Sequence, residues 1–235
     1  MINMEDGDAR FIRYSLKFDD GTVKDFAMNF DKDTLSLLPH ENALPGEWTR
    51  LEFEKCPNCS LDPATHAHCP VALNLSELIV FIKDMISYEE VDVVVEVPER
   101  KYSGRVALQT ASSSLIGIIM ATSGCPVLDR LRPMVQTHLP FATWEETSYR
   151  VVTMYLFSQY FRYKEGGKPD WDLDRLVELF DEIELVNLSF SQRIEGIRKK
   201  DASVNAVAIL SCFGSMTRMS VSENMFDHWK TLLKT

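Results

Sequence analysis

Apolar and polar residues alternate along two arms near the start of the chain. Ile12, Tyr14, Leu16 and Phe18 are separated by polar or charged residues, and Phe26, Met28 and Phe30 repeat the pattern after Asp19-Asp20-Gly21-Thr22. Period-two alternation on both sides of an Asp-Gly turn predicts a β-hairpin with one buried face. Leu35 and Leu37, then Trp48, Leu51 and Phe53, predict one or two further strands around a proline-containing loop over 39–47. Nothing within this region covers the apolar face of such a sheet, so its cover is expected from the segments that follow.

The period then lengthens. Leu75, Leu78, Ile79, Ile82, Met85 and Ile86 recur at helical spacing, predicting an amphipathic helix over 75–87 with Asn74 and Glu77 as N-cap and capping-box partner. Val91, Val93, Val95 and Val97 return to period two and predict a half-buried strand that ends at Pro98. From Arg105 onward the pattern reads as helical. Residues 105–123 are apolar or small almost all round, which predicts a helix at the centre of a bundle, ended by Gly124 and Pro126. A short helix or irregular segment is expected over 127–137. Thr143 and Glu146 form a second capping box, opening an aromatic-rich helix through about Phe161 that Gly166-Gly167 stops. In it, Tyr155, Phe157, Tyr160, Phe161 and Tyr163 read as core and rim aromatics. Asp170 is expected to cap a long helix with its stripe through Leu176, Phe180, Ile183, Val186, Phe190 and Ile194, Asp201 to cap another through about Met219, and a last short helix to lie near 223–233. The fold class is therefore α+β: an antiparallel β region over 1–55, a Cys/His-rich link over 56–73, and a mainly helical region over 74–235 with one strand near 91–97, in one compact unit.

Composition narrows the function. The 235 residues are 45% hydrophobic and 26% charged, which excludes disorder for most of the chain. The 35 acidic side chains outnumber the 25 basic ones, for a formal charge of −10. The excess lies wholly in residues 1–102, with 20 acids against 10 bases, while residues 103–235 carry 15 of each. An acidic chain is a poor electrostatic partner for nucleic acid, and any anionic ligand is expected on the neutral helical part. Met1 to Arg10 is acidic and polar, unlike a secretory signal. The most hydrophobic run, over 112–121, is half the roughly 20 residues of a membrane span. A cytoplasmic protein without a membrane segment is expected.

Three of the 5 cysteines crowd into one loop. Cys56-Pro-Asn-Cys59 is followed by His66, His68 and Cys69 in the order Cys-x2-Cys-x6-His-x2-Cys. Zinc takes four tetrahedral thiolate or imidazole ligands, and a Cys-x2-Cys turn presents two thiolates on one side of a tight loop. His66 stands three residues before Cys69 and can turn to a shared centre. His68 adjoins Cys69 and tends to point elsewhere. Cys125, arriving from the end of the buried helix, is the other candidate for the fourth ligand. An odd cysteine count in a reducing compartment favours metal over disulfides. So full a ligand set favours a structural zinc over a catalytic one, tying sheet to helices. The plain alternative is reduced thiols beside loop histidines, and a redox Cys-x-x-Cys is a third reading.

A second cluster joins Ser123-Gly-Cys-Pro126, Arg130, Arg132-Pro-Met134 and His138-Leu-Pro-Phe141. Arg132 and His138 are its candidate ligand-binding residues for an anionic small molecule. The same cations could instead pair with Glu145 and Glu146 in an ordinary inter-helix connection. No phosphate loop, dinucleotide fingerprint or nucleophile elbow occurs.

Together, CPNCSLDPATHAHCPVALNL, SGCP, RPM, HLPFATWEET and YLFSQYF resemble an uncharacterised family of bacterial proteins over nearly the whole chain. The resemblance implies a bacterial cytoplasmic protein, draws Cys56, Cys59, Cys69 and Cys125 together, and implies no reaction or substrate. The expectation is a non-enzymatic regulatory or interaction protein with a structural zinc site, with room for a protein partner or homodimer. The alternatives are an anionic small-molecule-binding protein or enzyme using the 123–141 segment, and a thiol redox sensor.

Overall fold

The computed structural model describes residues 10–39, 42–222 and 231. The hairpin forms as its pattern dictates. Strands β1 (Arg10–Lys17) and β2 (Val23–Phe30) pair antiparallel with Tyr14 opposite Phe26. Gly21 takes the left-handed backbone at φ +85° in the connecting turn, where the Thr22 N–H donates to the Asp20 carboxylate at 2.8 Å.

Two more strands complete an antiparallel sheet of order β2-β1-β3-β4. Strand β3 (Glu90–Val97) lies between β1 and β4 (Arg100–Ala107), with Tyr14 opposite Val95 and Val91 opposite Val106. Arg105 and Val106, expected at the start of the central helix, are therefore strand residues. A hairpin turn at Pro98-Glu99 brings them onto Asp92 and Val91, and the Arg105 guanidinium pairs with Asp19, Glu90 and Asp92 on the open face. The apolar helical count over 105–107 was outweighed by a partner strand that offered a full ladder.

The strands expected at 35–37 and 48–53 reduce to isolated bridges, Phe30 with Leu37 and Arg50 with His68. Leu35 and Glu54 sit at φ 57° and 46°, and a short 3-10 turn spans Glu47–Thr49. The backbone of this stretch pairs instead with the cysteine loop: Leu51 N–H donates to Ala67 O at 3.1 Å and Cys69 N–H to Thr49 O at 2.8 Å. The helix expected over 75–87 is two short ones, α1 (Pro70–Asn74) and α2 (Ser76–Ile82). Pro70 opens α1, so Asn74 ends that helix and donates to Pro70 O at 2.9 Å, while Glu77 pairs with Lys24 at 2.6 Å rather than closing a capping box.

The helical remainder follows the periodicity. Helix α3 (Leu108–Thr122) is buried on nearly every side, packs on the sheet and on the helices, and ends before Gly124 at φ +84°. A 3-10 segment, Leu128–Thr137, leads to α4 (Trp144–Lys164), α5 (Asp174–Glu195) and α6 (Ala202–Ser222). Thr143 and Glu146 make the expected capping box. Asp170 does not cap α5: Leu173, at φ 65°, holds the N-cap position, and the Asp170 carboxylate accepts from Tyr155 Oη and Arg175 N–H. Asp201 precedes α6 and accepts from the Ser87 N–H and hydroxyl. The helix expected near 223–233 lies outside the described residues, Thr231 apart. One continuous core joins the buried sheet face, with Ile12, Tyr14, Met28 and Val93, to Ile79 of α2, Ile116 of α3 and Ile194 of α5. By length and mean hydropathy (1.2), the stretch Ala202–Val221 of α6 would suffice to cross a membrane. No single run reveals this, because serines and threonines interrupt it. Here that helix packs against α3 and α5.

Candidate metal centre and the neighbouring cavity

The fold brings Cys56, Cys59, Cys69 and Cys125 to one cavity of about 30 Å³. Three separate segments supply them. Cys56 and Cys59 flank a turn closed by Cys59 N–H donating to Cys56 O at 3.0 Å. Cys69 stands at the start of α1, and Cys125 follows the end of α3. Cys56, Cys69 and Cys125 each precede a proline. A proline offers no N–H, so backbone donors to a sulfur there must come from farther along the chain. At Cys125 these donors are the N–H groups of Leu128 and Val127. Burial pushes the Cys56 thiol up to about 11, against the Ser189 hydroxyl bond that favours thiolate, and burial raises Cys125 as well. Burial thus favours the uncharged thiol at Cys56 and Cys125.

A buried cation adjoins them. Arg193, 2% exposed, lines the same cavity. Its guanidinium donates to Trp48 O and Arg50 O, both at 2.6 Å, and stands over the Phe53 ring. Burial lowers its pKa, while the neighbouring Cys69, Cys56 and Glu54 favour its charge. Sequence reasoning missed this residue, although one signal was present: a charge three residues after Phe190 on the apolar stripe of α5 marks a buried, functional or bridging cation. The structure leaves His66 exposed, with Nδ1 on the Thr65 hydroxyl at 2.9 Å, and puts His68 Nδ1 on Thr49 Oγ1 at 2.9 Å; neither lines the cavity. Among the described residues, no group of three or more His, Cys, Asp or Glu side chains stands already set to hold a metal ion.

The second candidate segment divides. Arg130 pairs with Glu182, and Arg132 with Asp129 at 3.0 Å and the Ser36 hydroxyl. Neither meets Glu145 or Glu146. His138 is half-buried and lines a larger cavity of about 200 Å³ bounded by α3, the 3-10 segment, α4, α5 and α6. Its Nε2 lies 2.7 Å from Tyr14 Oη, which lies 2.8 Å from Ser114 Oγ. Burial, helped by the Arg150 charge, lowers its pKa to about 3, so the ring is neutral. Arg150 lines this cavity where Arg132 was expected. No sequence signal distinguished Arg150 from the other charges of α4.

A family model for a domain of unknown function, DUF6901, matches residues 12–233. The chain belongs to that family. No curated protein and no solved structure matches it. The match covers both the sheet and the helices, as well as all four converging cysteines. The family is thus an uncharacterised one, as the motifs suggested, and it assigns no chemistry to either cavity.

The aromatic half of α4 departs from the core-and-rim expectation. Phe157, Tyr160, Phe161 and Tyr163 are exposed, and the first three cluster with one another, Phe157 and Phe161 at 4.8 Å between ring centres.

Proposed function

We propose that the chain is a non-enzymatic regulatory or interaction protein in which a structural zinc ion, held by Cys56, Cys59, Cys69 and Cys125, staples the 56–69 loop to the end of α3. The convergence of four thiols from three segments on one small cavity carries this reading. A volume of about 30 Å³ suits a single ion better than a multi-iron cluster. Four thiolates around Zn²⁺ leave a net negative charge, and the buried Arg193 guanidinium offsets part of it without solvent. A set of four sulfur ligands leaves no open position for water, which favours a staple over a catalyst. Binding requires the thiols to lose their protons and turn to a common centre, so it is coupled to pH. The exposed aromatic cluster on α4 supports an interaction role, since apolar patches of this kind suit a protein partner.

Metal analysis of the full chain purified without added zinc is the test. About one zinc per chain is expected, falling to a small fraction in Cys125→Ser. Below about 0.2 zinc per chain, with every thiol freely titratable, the staple reading fails. A Cys56–Cys59 disulfide formed under mild oxidant by metal-free protein would point instead to a thiol redox sensor.

A further inference from the structure

We propose that the larger cavity binds a small monocarboxylate with an apolar chain, its head at Arg150 and its tail among Ile118, Ile183, Leu210 and Phe213. This cavity is about 200 Å³, is partly open to solvent, and has walls that are mostly aliphatic and aromatic. An apolar cleft of that size accepts an apolar chain.

The head group follows from the charge. Arg150 is the sole formally charged side chain among the described lining residues, given a neutral His138. Its guanidinium donates to Met134 O at 2.9 Å, while its buried Nε has no hydrogen-bond partner. Glu146, one turn earlier, turns its carboxylate to the Thr143 N–H at 2.8 Å and favours the Arg150 charge only through space. A cation in an apolar wall without a hydrogen-bonded carboxylate is costly, and a ligand that supplies one reduces that cost. Ser114 and His138, linked through the Tyr14 hydroxyl, add neutral hydrogen-bonding groups and no competing anion. One guanidinium among neutral groups suits a singly charged head, where a phosphate dianion needs more cations. The site is independent of the thiol cavity, so failure of either reading leaves the other standing.

Titration calorimetry on the full chain with decanoate, decanol, acetate and decyltrimethylammonium tests this. Decanoate is expected to bind at about one per chain and roughly tenfold or more tighter than decanol, the scale of a charge-assisted hydrogen bond. Acetate and the ammonium amphiphile are expected not to bind. Arg150→Gln should bring decanoate down to the level of decanol. Gly214→Leu should block both: a Cβ there meets Phe180 at an ordinary 3.6 Å, and the longer side chain extends into the void without loss of folding. That variant keeps the test decisive if Arg150→Gln does not fold. The proposal is overturned if decanoate does not bind, binds no tighter than decanol, or binds Gly214→Leu unchanged.

Discussion

His138 shows how burial decides a side chain's chemistry. In an unfolded chain its imidazole takes a proton near pH 6.5, whereas the folded protein holds it neutral down to about 3. Between those values the unfolded state binds the proton that the folded state refuses, so the contribution of this residue to stability is complete above the upper value and falls as the pH drops toward the lower one. The slope from one such group approaches about 1.4 kcal/mol per pH unit. His138→Gln, which keeps a polar partner for Tyr14, should flatten the acid limb by that amount, read from urea midpoints between neutral and mildly acidic pH. Equal slopes in the two proteins would refute a neutral imidazole. The identity of this histidine was legible in the sequence. Its state was not, because the Tyr14 hydroxyl reaches it from 124 residues away.

At the scale of elements, the two capping signatures had opposite fates. Thr143-x-x-Glu146 closes as a reciprocal pair, with Thr143 Oγ1 accepting from the Glu146 N–H at 3.2 Å and the Glu146 carboxylate accepting from the Thr143 N–H at 2.8 Å. Asn74-x-x-Glu77 has the same form and does not cap, since Pro70 starts a helix upstream and Lys24 of β2 draws Glu77 away. The cap of α4 is the testable one. Thr143→Ala should cost about 1 kcal/mol of stability by chemical denaturation. It should also weaken decanoate binding, because Thr147 and Arg150 in the second helical turn line the cavity. No measurable change in stability would mean that α4 is held by packing alone.

For the whole molecule, Arg193 is the long-range tie. It joins α5 to the backbone of residues 48–54, more than a hundred positions earlier, through the carbonyls of Trp48, Arg50, Leu51 and Glu54. Arg193→Met keeps the volume of the stem and removes the guanidinium donors from those carbonyls, so a loss of about 3 kcal/mol is expected from denaturant unfolding. A loss under about 1 kcal/mol would show that water replaces the guanidinium. If the metal reading holds, the same variant should lower zinc content as well, which separates a counter-charge role from a purely structural one.

The sequence by itself determined the α+β class, the first hairpin, the Val91–Val97 strand, the central buried helix and the succession of long helices, because each rests on local periodicity and turn chemistry. It also marked the cysteine loop and offered Cys125 as a partner to it. Tertiary structure decided the rest. Strand β4 formed because a partner ladder outbid a helical pattern, and the 35–53 stretch joined the cysteine loop instead of the sheet. Bringing Cys125 to Cys56, Cys59 and Cys69, setting Arg193 beside them, and exchanging Arg132 for Arg150 at the larger cavity all depend on contacts between residues far apart in sequence. Such contacts are set by how helices and sheet pack against one another, which no local pattern encodes.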